Sequence, residues 1–151
     1  AVNIMKSFEG ALQVHPELFF FTPLVAAVAG NVGVQSSAII VQGLANDNVT
    51  GSLWLRLLKE ISIGLINGIA LGILVITFGL IFGFGWMLSL TVATAMLSVI
   101  IVAALVGTFV PILLNWKGID PAIATGPFIT TSNDIFGILI YFSLAKLMLG
   151  F

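Results

Sequence analysis

Long apolar stretches alternate with short polar ones, and that alternation sets the predicted elements. Leu18 to Ala45, Ile61 to Phe84 and Trp86 to Trp116 contain no Asp, Glu, Lys or Arg. A predominantly apolar run of about 18 or more residues is long enough to cross a bilayer as a helix. Ile119 to Ala145 is a fourth such stretch, closed by Lys146 and interrupted in its middle by Asp134. The pattern therefore predicts four spanning helices, about 18–45, 61–84, 86–116 and 119–145. Ala1 to Met5 is compatible with the tail of a fifth, earlier one.

The segments between these runs read as boundaries. Lys6 to Glu17 mixes Lys6, Glu9, His15 and Glu17 with apolar residues, as an interfacial turn or short amphipathic helix would. Asn46 to Ser52 is a polar loop, and Trp54 to Glu60, with Arg56, Lys59 and Glu60, has interfacial character. Gly85 sits in a tight turn, Lys117-Gly118 makes another, and Trp86 and Trp116 mark membrane boundaries. Asp120-Pro121 opens the fourth span with an Asp cap followed by proline at the first helical position. Four spans put both termini on one side. The opposite side carries Arg56, Lys59 and Lys117 against Lys6 and Lys146, so the positive-inside rule places the loop side in the cytoplasm by a narrow margin.

Composition agrees with an all-α, polytopic membrane helix bundle forming a single domain over 1–151. Hydrophobic residues make up 60% of the chain and charged residues 7%, with a mean hydropathy of +1.22. Soluble domains carry roughly 25% charged residues. No soluble regulatory domain is expected in this chain, nor a cleavable signal peptide, since no charged segment precedes an apolar core. A net charge of −1 without a basic patch argues against nucleic acid as a partner. The absence of cysteine removes disulfides, thiolate metal sites and Cys nucleophiles. No phosphate-binding Gly-rich loop supports nucleotide hydrolysis, and no Ser/His/Asp set appears, so an enzyme is not expected.

Asp134 carries the most information. Counted along a continuous helix, it lies near the bilayer midplane, where a carboxylate is costly and by default marks a functional site. The bland alternative is a protonated core residue that helps helices pack. Thr130 and Thr131 precede it by one turn, Pro127 by two, and Gly137 follows at nearly one turn, so these share its face. Within a helix Pro127 would leave the carbonyl of Ile123 without a donor. That suits either a wet, cation-binding path or a plain kink. Asn31, Gln35 and Gln42 recur at helical spacing on the first span with Gly30 and Gly33 beside them, as interhelical glue or as a pore face. Gly64, Gly68 and Gly72 form a small-residue packing stripe. Asp120 is explained by capping, with a role at a cytoplasmic ion mouth as the alternative.

Carboxylate, hydroxyl, amide and carbonyl groups form an oxygen-only donor set. That set favours magnesium, with manganese or calcium also admitted, over nitrogen- and sulfur-seeking metals. Magnesium in particular keeps several waters and binds through one or two carboxylates. A twofold dimer would bring two Asp134 carboxylates to one axis and match a divalent charge.

Ser7-Phe8-Glu9-Gly10-Ala11-Leu12, Pro23, Gly30-Asn31-Val32-Gly33-Val34-Gln35-Ser36-Ser37, Asp120-Pro121-Ala122, Gly126-Pro127, Asp134 and Tyr141-Phe142-Ser143 occur in that order. Together they resemble the membrane domain of MgtE-type magnesium channels. The resemblance implies a homodimer with the ion path at its axis, lined by the helices bearing Gly30, Asn31, Gly33 and Gln35 and bearing Asp134. Asp134 and Asn31 would face the ion. The family usually has five spans and often carries cytoplasmic magnesium-sensing domains; neither the first span nor a sensor is evident here. The expectation is a passive magnesium channel in a lipid bilayer, in a bacterial inner (plasma) membrane. A proton- or sodium-coupled transporter is the alternative, and a non-transporting membrane subunit the third.

Overall fold

The computed structural model describes residues 8–46, 52–124 and 126–150, and in these every long element is helical. A short helix α1, Glu9–Val14, precedes α2, Leu18–Ala45; then come α3, Leu53–Ile81, and α4, Trp86–Trp116. A 3-10 turn, Pro121–Ala124, leads to α5, Pro127–Leu149. Helices α2 to α5 are each long and apolar enough to cross a membrane. The notion that Ala1 to Met5 belongs to an earlier span falls outside the described residues.

Two of the four spans differ from the hydropathy reading, each at both ends. Helix α3 starts at Leu53, not Ile61, so Arg56, Lys59 and Glu60 lie within its first turns. Charge marks where a helix leaves the apolar core; it does not stop the helix. Ser52 caps this start, its Oγ accepting from the Trp54 backbone N–H at 3.3 Å. The helix ends at Ile81, three residues before Phe84, because Gly83 takes a left-handed conformation (φ +78°). The Phe84 N–H then bonds Gly79 O and the Gly83 N–H bonds Leu80 O, satisfying two terminal carbonyls. Gly118 closes α4 the same way, through Ile119 to Leu114 O and Gly118 to Asn115 O.

The fourth span differs as well. It is not one helix from Ile119. Asp120 Oδ1 accepts from the Ala122 N–H at 2.9 Å and so caps the separate 3-10 turn. Gly126 breaks the chain direction at φ +55°, and Pro127 is the first residue of α5. Proline there loses nothing, since that N–H has no helical partner anyway. Pro127 therefore starts a helix and does not kink one. At the far end α5 runs past Lys146 to Leu149.

Helix α4 is the centre of the bundle and packs against α2, α3 and α5; α2 and α5 also pack on each other. Its buried residues run its whole length, from Leu88 through Val92, Met96, Ile100 and Ala104 to Ile112. Helix α3 sits at the periphery. Its buried positions are Gly64, Gly68, Gly72, Val75 and Gly79, and its outer face exposes Ile66, Leu74 and Ile81. The glycine stripe therefore joins α3 to α4 within one chain: Gly64 faces Ile101, Gly68 faces Leu97, Gly72 faces Ala93 and Gly79 faces Ser89. Many hydroxyls satisfy themselves on the carbonyl one turn back, including Ser62, Thr77, Thr91, Thr94 and Ser98. A polar group so satisfied is tolerable in lipid.

Candidate functional site

The site is built on the antiparallel seam between α2 and α5. Two hydrogen bonds fix its ends. Tyr141 Oη donates to Leu18 O at 2.9 Å, and Ser37 Oγ donates to Ala124 O in the 3-10 turn. Phe8, just before α1, stacks on Phe142 with ring centroids 5.4 Å apart. Between these clamps, glycines on α2 form a notch that admits α5. A Cβ added to Gly30 would come within 2.9 Å of Thr130 Cγ2 and 3.5 Å of Asp134 Oδ1. One added to Gly33 would collide with the Asn133 amide. Gly137 completes the seam from α5, its Cβ position 3.2 Å from Ala29 Cβ.

The depth of Asp134 follows from this packing. Along α5 it lies seven residues from Pro127, roughly 10 Å in, so counting from Asp120 along a continuous helix overstated its distance from the boundary. Its partner Gly30, however, stands 12 residues after Leu18 and 15 before Ala45, close to the middle of α2. Glu60, the other carboxylate touching α2, accepts from Ser36 Oγ at 3.2 Å. Ser36 is six residues beyond Gly30, roughly 9 Å nearer the loop side.

The candidate residues divide between seam and surface. Gly30, Gly33 and Gly137 are buried inside the seam. Asp134 and Thr130 are half-buried at its edge, and Thr130 Oγ1 is engaged with Gly126 O at 2.7 Å. Asn31, Gln35, Pro127 and Thr131 are exposed, as is Gln42 further along α2. Asp120 is exposed at the loop-side end and already engaged as a cap. The backbone thus brings Asp134 onto Gly30, immediately before Asn31, and leaves the polar face of α2 open.

Among the described residues no group of three or more His, Asp or Glu could hold a metal ion. Asp134 lines none of three sizeable cavities of the chain. The first, of about 380 Å³, is apolar and lies between α2 and α3, with Phe21, Leu71 and Phe78 in its wall. The second lies at the terminal end beside His15 and Glu17, and the third at the loop side beside Arg56 and Lys59.

Asn133 is the residue that sequence reasoning passed over. It is 1% exposed, pressed against Gly33, and neither its Oδ1 nor its Nδ2 has a hydrogen-bond partner. Thr108 Oγ1 on α4 is likewise buried and unpartnered, next to Gly107, whose Cβ position is filled by the Gly33 carbonyl. The signal was present as a second polar residue beside Asp134 in an apolar span. Helical spacing put it on a different face from the Asp, and nothing in the sequence said what covers that face.

Four apolar crossing helices around a seam with one carboxylate define a multi-pass integral membrane protein. Residues 22–144 match the MgtE family, described as divalent cation transporter, and the chain belongs to that family. It is 35% identical over 144 residues to the magnesium transporter MgtE of Bacillus subtilis, covering 95% of this chain and 32% of that protein. Against the magnesium transporter MgtE of Thermus thermophilus it is 35% identical over 149 residues, covering 97% of this chain and 33% of the relative. The Enterococcus faecalis magnesium transporter MgtE gives 34% over 150 residues, covering 99% and 33%. The chain thus spans about a third of the length of these relatives.

Proposed function

We propose that this chain is an ion-conducting domain that passes Mg2+ through a bacterial plasma membrane, with the path along the α2–α5 face of two facing copies. The observation that carries this reading is the seat of Asp134: a carboxylate held over Gly30 at the middle of α2, beside the open Asn31–Gln35 face. Membership of a divalent cation transporter family and the relatives' description as magnesium transporters support Mg2+ as the cargo.

The chemistry fits a hydrated divalent ion. A lone carboxylate per chain is too little to strip magnesium of its waters, and magnesium binds readily through one or two carboxylates with its waters kept. Asp134 supplies coulombic attraction to the ion. Asn31 and Gln35 offer neutral donors and acceptors to its water shell. Thr130 and Thr131 line the approach, with Gly30, Gly33 and Gly137 setting how closely α5 lies on α2. A second copy related by a twofold axis supplies the second carboxylate and closes the path that one chain leaves open. Manganese and calcium meet the same oxygen donors.

Flux into liposomes containing the purified chain tests the mode of transport. Passive conduction predicts magnesium entry down its own gradient, at a rate unchanged when proton and sodium gradients are abolished. Entry that stops without either gradient identifies a coupled transporter instead. No entry under any gradient leaves a non-conducting membrane subunit.

A further inference from the structure

At the loop-side end of the bundle, away from Asp134, a cavity of about 360 Å³ lies between α2 and the start of α3. Its wall mixes two chemistries: Ile39, Ile40, Leu55 and Ile63 are apolar, while Arg56, Lys59, Glu60 and Ser52 are polar. Arg56 and Lys59 are three residues apart and so share a face of α3. Glu60 is turned toward α2, where it accepts the Ser36 hydroxyl at 3.2 Å, and Ser52 Oγ is engaged by the Trp54 N–H. Among the described residues neither Arg56 nor Lys59 takes part in a salt bridge. Trp54, 68% exposed one turn below Leu58, marks the level of the membrane boundary.

We infer that this cavity is a site for one anionic phospholipid of the surrounding bilayer. Its phosphate would be held by Arg56 and Lys59, and the upper part of an acyl chain would lie on Ile39, Leu55 and Ile63. The two cations call for an anion, and the apolar wall directly beside them calls for a hydrocarbon attached to it. A free phosphate would leave that wall uncovered. The site also bridges α2, which carries Asn31 and Gln35, to α3, whose main packing partner is α4. The inference does not depend on the ion path proposed above.

The test is lipid binding by native mass spectrometry of the delipidated chain in detergent, titrated with phosphatidylglycerol, phosphatidylcholine or glycerol 3-phosphate. At about fivefold per interfacial cation, phosphatidylglycerol should be preferred over phosphatidylcholine by roughly twenty-five-fold, and that preference should shrink at high salt. In the double variant Arg56→Gln/Lys59→Gln the preference should vanish, with helical circular dichroism unchanged. If the double variant does not fold, Lys59→Gln alone, at an exposed side chain, should lower the preference about fivefold. Equal binding of the two lipids by the wild type overturns the inference. So does a preference that survives these substitutions, or displacement of phosphatidylglycerol by glycerol 3-phosphate.

Discussion

Asp134 and Asn133 are neighbours in sequence with opposite fates. The carboxylate reaches the edge of the seam over Gly30, while the amide is buried over Gly33 with both polar atoms unpartnered. Asp134 was legible because a charge in an apolar span is expensive wherever it lands. Asn133 was not, since an amide at the same depth is ordinary glue until its neighbours are known to be glycine and isoleucine. An unsatisfied buried polar group costs about 1–3 kcal/mol. Asn133→Leu keeps the branching of the side chain and removes both orphaned atoms, so it should raise the melting temperature in detergent. A lower melting temperature would mean the amide has a partner, such as a bound water, that the packing alone does not reveal.

At the scale of elements, the four spans follow directly from the long apolar runs; the ends of α2 and α4 follow too, while those of α3 and α5 do not. Hydropathy stops α3 at the first charges, but Ser52 and a segment free of helix breakers carry the helix eight residues further back, to Leu53. Proline inside an apolar run reads as a kink; only the left-handed Gly126 before it reveals a start. The glycines show the same division. Spacing finds Gly64, Gly68 and Gly72 but cannot say which helix they meet, or which tolerates a methyl group. A Cβ on Gly72 would rest 3.6 Å from Ala93 Cβ, an ordinary contact. One on Gly107 would strike the Gly33 carbonyl, which is backbone and cannot turn aside. Gly72→Ala should therefore be neutral or stabilising by up to about 1 kcal/mol through helix propensity. Gly107→Ala should cost about 1–3 kcal/mol through overpacking. Thermal unfolding of the two variants side by side checks this, and equal melting temperatures would contradict the close α4–α2 approach at Gly107.

For the whole molecule, the central claim is that two copies meet along the α2–α5 face with Asp134 beside the path. The chain contains no cysteine, so single introduced thiols report proximity without background. Asn31→Cys or Gln35→Cys should cross-link between copies on mild oxidation, while Ile66→Cys, on the exposed outer face of α3, should not. The reverse pattern would move the interface to α3. The most direct measurement is magnesium flux into proteoliposomes bearing Asp134→Asn, which keeps shape and an oxygen but loses the charge. A carboxylate about 4 Å from a unit cation contributes about 4 kcal/mol at an effective dielectric of ~20, so flux should fall by more than about tenfold while the oligomer and its melting temperature persist. Asp134→Glu, with its charge moved outward by one methylene, should fall between the two. Wild-type flux through the Asn variant, with the protein folded and assembled, would contradict the account.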